Sequence, residues 1–261
     1  MGGPAPLQIS VGAATAGVTL VGVGPGDPEL LTVAALRAIR AAAVVAYPVA
    51  QSGGDGMAAA IAAPWLLAEQ RRLPLLFPMV AEAPPRIAAW HAAADALAVE
   101  VAAGLPVVLL CEGDVSLFAS SSYVLLALRQ RHPHCPLRLV AGVPAVCAAA
   151  ATASAGGIPW PLALQSEGLL IRPTPETAGE LEHLLDQAAA TATNVALLKL
   201  GQRWPWVRSL LDRRGLLEGA LLAQRVGWPD QLLAPASAVP SGERAYFSLL
   251  LIRQGWPAVL P

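Results

Sequence analysis

Short apolar runs that end in glycine loops constrain this chain more than any other feature. Val18-Thr19-Leu20-Val21 leads into Gly22-Val23-Gly24-Pro25-Gly26-Asp27-Pro28, and Val107-Val108-Leu109-Leu110-Cys111 leads into Glu112-Gly113-Asp114. A third loop, Ala141-Gly142-Val143-Pro144-Ala145, follows the run Leu137–Ala141. Runs of this length bounded by glycine read as buried strands. Helical patterns separate them. Thr32 can cap a helix over Val33–Ala42 that turns Val33, Leu36 and Ile39 inward and Arg37 and Arg40 outward. Ala43–Tyr47 then reads as a strand, Pro85–Ala103 as a helix with Ile87, Trp90, Leu97 and Val101 inward, and Ser121–Arg131 as a further helix. Such alternation predicts an α/β fold whose first domain holds a mostly parallel sheet covered by helices. All three loops then share its carboxyl edge, where ligands of open α/β folds bind.

The second half has a different rhythm. Gly168–Arg172, Asn194–Gly201, Ala220–Gly227 and Ala245–Arg253 read as strands, and between them lie helices near Ala178–Ala190 and Pro205–Arg214. A mixed sheet follows, with helices on one face. The organisation expected is a loose Gly/Ala/Pro-rich leader over residues 1–17, an α/β domain over 18–145 and a mixed α/β domain over 146–261. Gly156-Gly157-Ile158-Pro159-Trp160-Pro161 reads as a hinge between the halves.

Composition excludes several classes. Of 261 residues 55% are hydrophobic and 13% charged, which suits a chain with a real core. The net charge of -1 leaves no basic field for nucleic acid, and no Lys/Arg cluster suggests a membrane surface. Leu139–Ser166 is uncharged, but Gly142, Pro144, Gly156, Gly157, Pro159 and Pro161 interrupt it and argue against a membrane span. No basic residue precedes Arg37, as a secretory signal would require. Cys111, Cys135 and Cys147 lack metal-like spacing, so no metal and a reduced cytoplasmic setting are expected.

The loops themselves disfavour phosphate. A dinucleotide fingerprint needs Gly-x-Gly-x-x-Gly with N–H groups free to face a pyrophosphate. Here the glycines stand at 22, 24 and 26, Pro25 removes a donor and Asp27 adds negative charge. A cationic ligand reverses these electrostatics. S-adenosylmethionine has a sulfonium, an ammonium and a ribose diol but no phosphate, and Glu112 and Asp114 supply acceptors for such groups. Helix capping and dipole compensation account for the same two acids about equally well. No Ser/His/Asp set is apparent, so no catalytic residue is assigned. His91, His132, His134 and His183 fit surface or packing roles.

Val21-Gly22-Val23-Gly24-Pro25-Gly26-Asp27-Pro28-Glu29-Leu30-Leu31-Thr32 resembles the opening signature of the tetrapyrrole (corrin/porphyrin) methylases. Glu112-Gly113-Asp114 resembles their second loop and Ala141-Gly142-Val143 their third. The likeness continues in order through Gly157-Ile158-Pro159, Leu198-Lys199-Leu200-Gly201 and Gln224-Arg225-Val226-Gly227. The Glu-Gly-Asp loop, Ser120-Ser121-Ser122-Tyr123 and Gly168-Leu169-Leu170-Ile171-Arg172-Pro173 look most like the precorrin-2 C20-methyltransferases of cobalamin biosynthesis.

The resemblance implies a two-domain homodimer that holds S-adenosylmethionine between its domains and a tetrapyrrole, precorrin-2 or cobalt-factor II, beside it. Carried over by position, the cofactor contacts are Pro25, Glu112, Gly113, Asp114, Leu117, Pro144, Ala145, Leu200 and Gly219. Asp27, Arg172 and Arg225 face the substrate. Three positions depart from the family pattern: Val115 replaces the proline after Gly-Asp, Ala141 the proline before Gly142, and Pro144 a Ser/Thr. Pro144 can donate no hydrogen bond, so one family contact is missing or replaced by shape. A sister methylase acting at another ring position and a non-catalytic member are the alternatives.

Overall fold

The computed structural model describes residues 15–51 and 53–256. Most of the expected leader, residues 1–14, therefore lies outside the described residues. The chain divides into two compact units, one ending at Val143 and the other beginning at Pro144, and the stretch 156–161 falls inside the second.

The first unit is built on five strands: β1 (Gly17–Gly22), β2 (Val44–Val49), β3 (Arg71–Leu76), β4 (Pro106–Cys111) and β5 (Leu137–Val140). Their order is β3-β2-β4-β1-β5 and every pairing is parallel, as the alternation predicted. Among the described residues four α-helices accompany them: α1 (Val33–Ala41), α2 (Met57–Ala62), α3 (Ala83–Ala102) and α4 (Ser121–Arg131). One face of the sheet, carrying Val18, Leu20, Val107 and Leu109, packs with Leu97 of α3 and Val124 and Leu128 of α4 in a single buried cluster.

Thr32 caps α1 as expected, its hydroxyl accepting from the Ala35 N–H at 3.0 Å. The inward face of α1 is nevertheless Ala35 and Ile39, and Val33 is 61% exposed. Val33 is the first helical residue, so Ala35 and Ile39, one turn apart, form the stripe that meets the core. In α3, Trp90, Leu97 and Val101 pack with the cluster, but Ile87, one turn in from the start, stays exposed.

The second unit contains α5 (Ala145–Ala155), β6 (Gly168–Pro173), α6 (Ala178–Ala190), β7 (Thr193–Leu198), α7 (Trp204–Arg213), β8 (Ala220–Gln224), β9 (Leu232–Pro235) and β10 (Ser248–Ile252). The strand order is β6-β7-β10-β8-β9, with β6 parallel to β7 and all other pairs antiparallel. The mixed sheet expected from the sequence is present. Val195, Leu197, Leu222, Leu250 and Ile252 line one face and bury Leu181, Leu184 and Leu185 of α6 and Trp204, Val207 and Leu211 of α7. Among the described residues no helix is long and apolar enough to cross a membrane.

Candidate functional site

Strands β4, β1 and β5 are neighbours, so the three glycine loops at their carboxyl ends lie side by side. Their backbones touch. The N–H of Gly24 donates to the Gly113 carbonyl at 3.2 Å, the N–H of Gly113 returns to Gly24 at 2.7 Å, and Val23 donates to Cys111 at 2.9 Å. A Cβ on Gly142 would stand 2.1 Å from the Gly113 carbonyl oxygen, and one on Gly22 would stand 2.6 Å from the Gly142 nitrogen. Glycine at 22 and 142 is thus required by contact between loops. Gly24 and Gly113 are required by their φ angles of 79° and 65°.

The acids have separate duties. Asp27 caps a short 3-10 helix over Pro28–Leu30, its Oδ1 accepting from the Glu29 N–H at 2.8 Å. Asp114 ties the loops together: Oδ2 accepts from the Gly142 N–H at 2.8 Å, and Oδ1 accepts from the Ser116 N–H at 2.9 Å and from the Ser116 hydroxyl. Burial raises the Asp114 pKa, but these donors outweigh it and hold the carboxyl below its ordinary value. Glu112 is shifted the other way. Its burial pushes the pKa up, and the N–H groups of Ala58 and of Glu112 itself only partly oppose it. Buried Cys111 is pushed up to about 12 by the same desolvation, which keeps it a neutral thiol.

Pro25 and Leu117 are half-buried on these loops, and the Leu117 N–H reaches the Asp114 carbonyl at 3.4 Å. Val115 is buried in the first unit's core, where its side chain takes the place of the family proline. The Ala141 carbonyl accepts from the Thr32 hydroxyl at 3.4 Å, joining the first loop's helix to the third loop. In the second unit, Pro144 is the N-cap residue of α5 and its carbonyl accepts from Cys147 at 3.0 Å and Ala148 at 3.1 Å. Ala145 is the first helical residue after it.

The remaining candidates gather at one end of the second sheet, except for Gly219. Arg172 is exposed near the carboxyl end of β6, Leu200 follows β7, and Arg225 follows β8. Gly219 precedes β8 and so lies at the opposite end, about 20 Å from Arg225 along the strand. The Leu200 side chain is wholly buried in the core, and its N–H donates to the Ser248 carbonyl at 3.1 Å. Arg225 is occupied: its Nε donates to Asp230 at 2.7 Å and its guanidinium lies 4.8 Å from the Trp228 ring centre.

Sequence reasoning missed Lys199 and Tyr246, which meet at this same edge with the Lys199 Nζ 5.8 Å from the Tyr246 ring centre. The signal for Lys199 is a backbone angle, φ 58°, which no residue pattern announces. The histidines stand away from these loops; His132 Nε2 lies 2.7 Å from Asp95 Oδ1, and His183 meets Gln187 at 3.0 Å. Among the described residues no group of three or more His, Cys, Asp or Glu could hold a metal ion.

A parallel sheet with an acid-bearing glycine edge, followed by a second mixed sheet, defines a methylase of the tetrapyrrole type. Residues 17–238 match the family of Tetrapyrrole (Corrin/Porphyrin) Methylases, and the chain belongs to it. Over 244 residues it is 31% identical to a precorrin-2 C(20)-methyltransferase of Sinorhizobium sp, covering 90% of this chain and 94% of that protein. A cobalt-precorrin-2 C(20)-methyltransferase of Salmonella typhimurium is 31% identical over 237 residues, covering 89% and 94%. A solved uroporphyrin-III C-methyl transferase from Thermus thermophilus, complexed with S-adenyl homocysteine, shares the fold at a TM-score of 0.56 and 23% identity, covering 90% and 96%.

Proposed function

We propose that this protein is an S-adenosylmethionine-dependent methyltransferase that methylates C20 of precorrin-2, or of its cobalt-containing counterpart, in cobalamin biosynthesis. One observation carries the cofactor assignment. The N–H groups of Gly24 and Gly113 are spent on each other, and that of Gly142 on Asp114, so the glycine edge offers a pyrophosphate few donors while presenting acid. Such an edge fits a cofactor that is cationic and carries no phosphate. The likeness to two C20-methyltransferases over about nine-tenths of the chain supports the ring position.

The fit extends to the residues present. Nothing stands within 4 Å of a Cβ position on Gly113, so a ligand can approach that backbone closely. Glu112 is the acceptor for a hydroxyl or cationic group of the cofactor, because a cation beside it relieves the cost of its buried charge. Asp114 acts through the loops it fastens. Pro25 and Leu117, both half-buried on the first unit's loops, give the cofactor apolar contact. The bound sulfonium supplies a methyl already activated for transfer. The chain's tasks are to align the acceptor carbon, exclude water and balance the charge that moves, and no strong base is demanded. A cytoplasmic homodimer completes the reading.

Incubating the protein with S-adenosylmethionine and either precorrin-2 or cobalt-factor II should add one methyl group by mass, located at C20 by NMR. No product from either substrate sinks the assignment, and a methyl elsewhere on the ring transfers the protein to a sister activity.

A further inference from the structure

Lys199 is the only lysine in the chain. It sits just past β7 with φ 58°, a left-handed conformation that disfavours any side chain beyond glycine. Two bonds hold it there. The Lys199 carbonyl accepts from Arg203 Nη1 at 3.4 Å, and the following Leu200 N–H donates to the Ser248 carbonyl at 3.1 Å. Buried Ser248 then fixes the partner ring: its hydroxyl donates to the Ala245 carbonyl at 2.6 Å while accepting from the Gly201 N–H at 3.2 Å. Lys199 and Tyr246, 47 positions apart, are thereby locked to one hub. Tyr246 and Phe247 pack edge to face at 5.2 Å, and both are nearly half exposed.

The electrostatics at this edge are uneven. Arg225 is neutralised by Asp230, and Arg203 by Glu176. Among the described residues no carboxylate pairs with Lys199, which leaves its ammonium available above an aromatic ring. Backbone strain held in place by surrounding bonds clusters at ligand sites, and a cation resting on a half-exposed aromatic ring suits an acid group carried by a flat, apolar body. We propose that Lys199, seated on Tyr246, is a carboxylate-recognition residue for the tetrapyrrole, a role that Arg225, already paired with Asp230, does not take. This rests on the reading of the chain as a tetrapyrrole methylase.

The test uses the full chain saturated with S-adenosylhomocysteine and titrated with uroporphyrin III, an octacarboxylate tetrapyrrole, and with its octamethyl ester. Lys199→Ala and Lys199→Gly should weaken uroporphyrin binding at least tenfold, and Lys199→Arg should recover most of it. S-adenosylhomocysteine affinity should stay within twofold, and the ester should bind wild type and variants alike. Lys199→Gly should also melt above Lys199→Ala, because glycine tolerates the positive φ. In the wild type, bound uroporphyrin should slow acylation of Lys199 by an amine-directed reagent, read at its own peptide. An unchanged uroporphyrin Kd in Lys199→Ala, a parallel loss of S-adenosylhomocysteine binding, or equal wild-type affinity for acid and ester would each overturn the proposal. Failure of the C20 assignment would show separately, as a differently placed methyl or none.

Discussion

Glu112 and Asp114 are separated by one glycine, yet their carboxyls are displaced in opposite directions. The difference lies in what surrounds each oxygen. Asp114 collects N–H and O–H donors that favour its charge, whereas Glu112 is desolvated with fewer donors to compensate. A carboxyl whose folded pKa is raised stabilises the fold below its unfolded value of about 4.5, and that contribution is lost as pH rises through the folded pKa. At neutral pH and above, the wild type therefore holds a charge it would rather not bury. Glu112→Gln should melt higher than wild type at pH 8, with the gap closing as pH falls towards 4, read by thermal unfolding across that range. The same change should weaken S-adenosylhomocysteine binding about tenfold, since a charge-assisted hydrogen bond is lost. Stability gained together with affinity lost marks a residue kept for function. Equal or lower stability at pH 8 would mean that the Glu112 charge is already well compensated.

At the scale of elements, the carboxyl ends of β1, β4 and β5 are held by direct backbone contact at glycine. Gly142→Ala must displace the Gly113 carbonyl, which is backbone and cannot swing aside, so a loss of about 3 kcal/mol is expected in urea denaturation. Gly179→Ala is the control. It lies in the first turn of α6 with open space around it and no positive φ, and should stabilise by about 0.5 kcal/mol. A loss below about 1 kcal/mol for Gly142→Ala would show that the loops yield more readily than their geometry implies. The sequence made these loops, and the elements bearing strong local patterns, legible. Helices α4 and α6 and strand β4 fall at the residues expected, because their apolar runs are self-contained; α6 also closes a capping box between Thr177 and Glu180. Helices α2 and α5 and strands β3 and β9 were not expected. β3 reads Arg-Arg-Leu-Pro-Leu-Leu, and as an edge strand it tolerates both the charges and Pro74, which mask it in a pattern search. β9 is an edge strand of four residues, too short to carry an alternation. The site shows the same division. The acids and glycines were visible as letters, whereas the spent N–H groups of Gly24 and Gly113 and the φ of Lys199 exist only once the strands have paired.

At the scale of the whole molecule, each unit owns a sheet and a buried cluster, one centred on Leu109, Leu97 and Val124 and the other on Trp204, Leu197 and Leu250. Stability in such a chain need not be uniform, because a cooperative unit opens at a free energy set by its own contacts. A defect confined to the glycine edge should then be felt first by the sheet that carries it. In Gly142→Ala, a loss of about 3 kcal/mol corresponds to roughly a hundredfold faster amide exchange where exchange follows global opening of that unit. Peptides from β1 and β4 should show this increase, while those from β7 and β10 change less than threefold. Saturating S-adenosylhomocysteine acts in the reverse sense. At a hundred times its Kd it stabilises the unit that binds it by about 2.7 kcal/mol, so wild-type β4 should exchange about a hundredfold more slowly. Hydrogen exchange read by mass spectrometry resolves both sheets in one sample. If Gly142→Ala accelerates β7 and β10 as much as β1 and β4, the two sheets unfold as one unit, and ligand protection should then spread evenly through both.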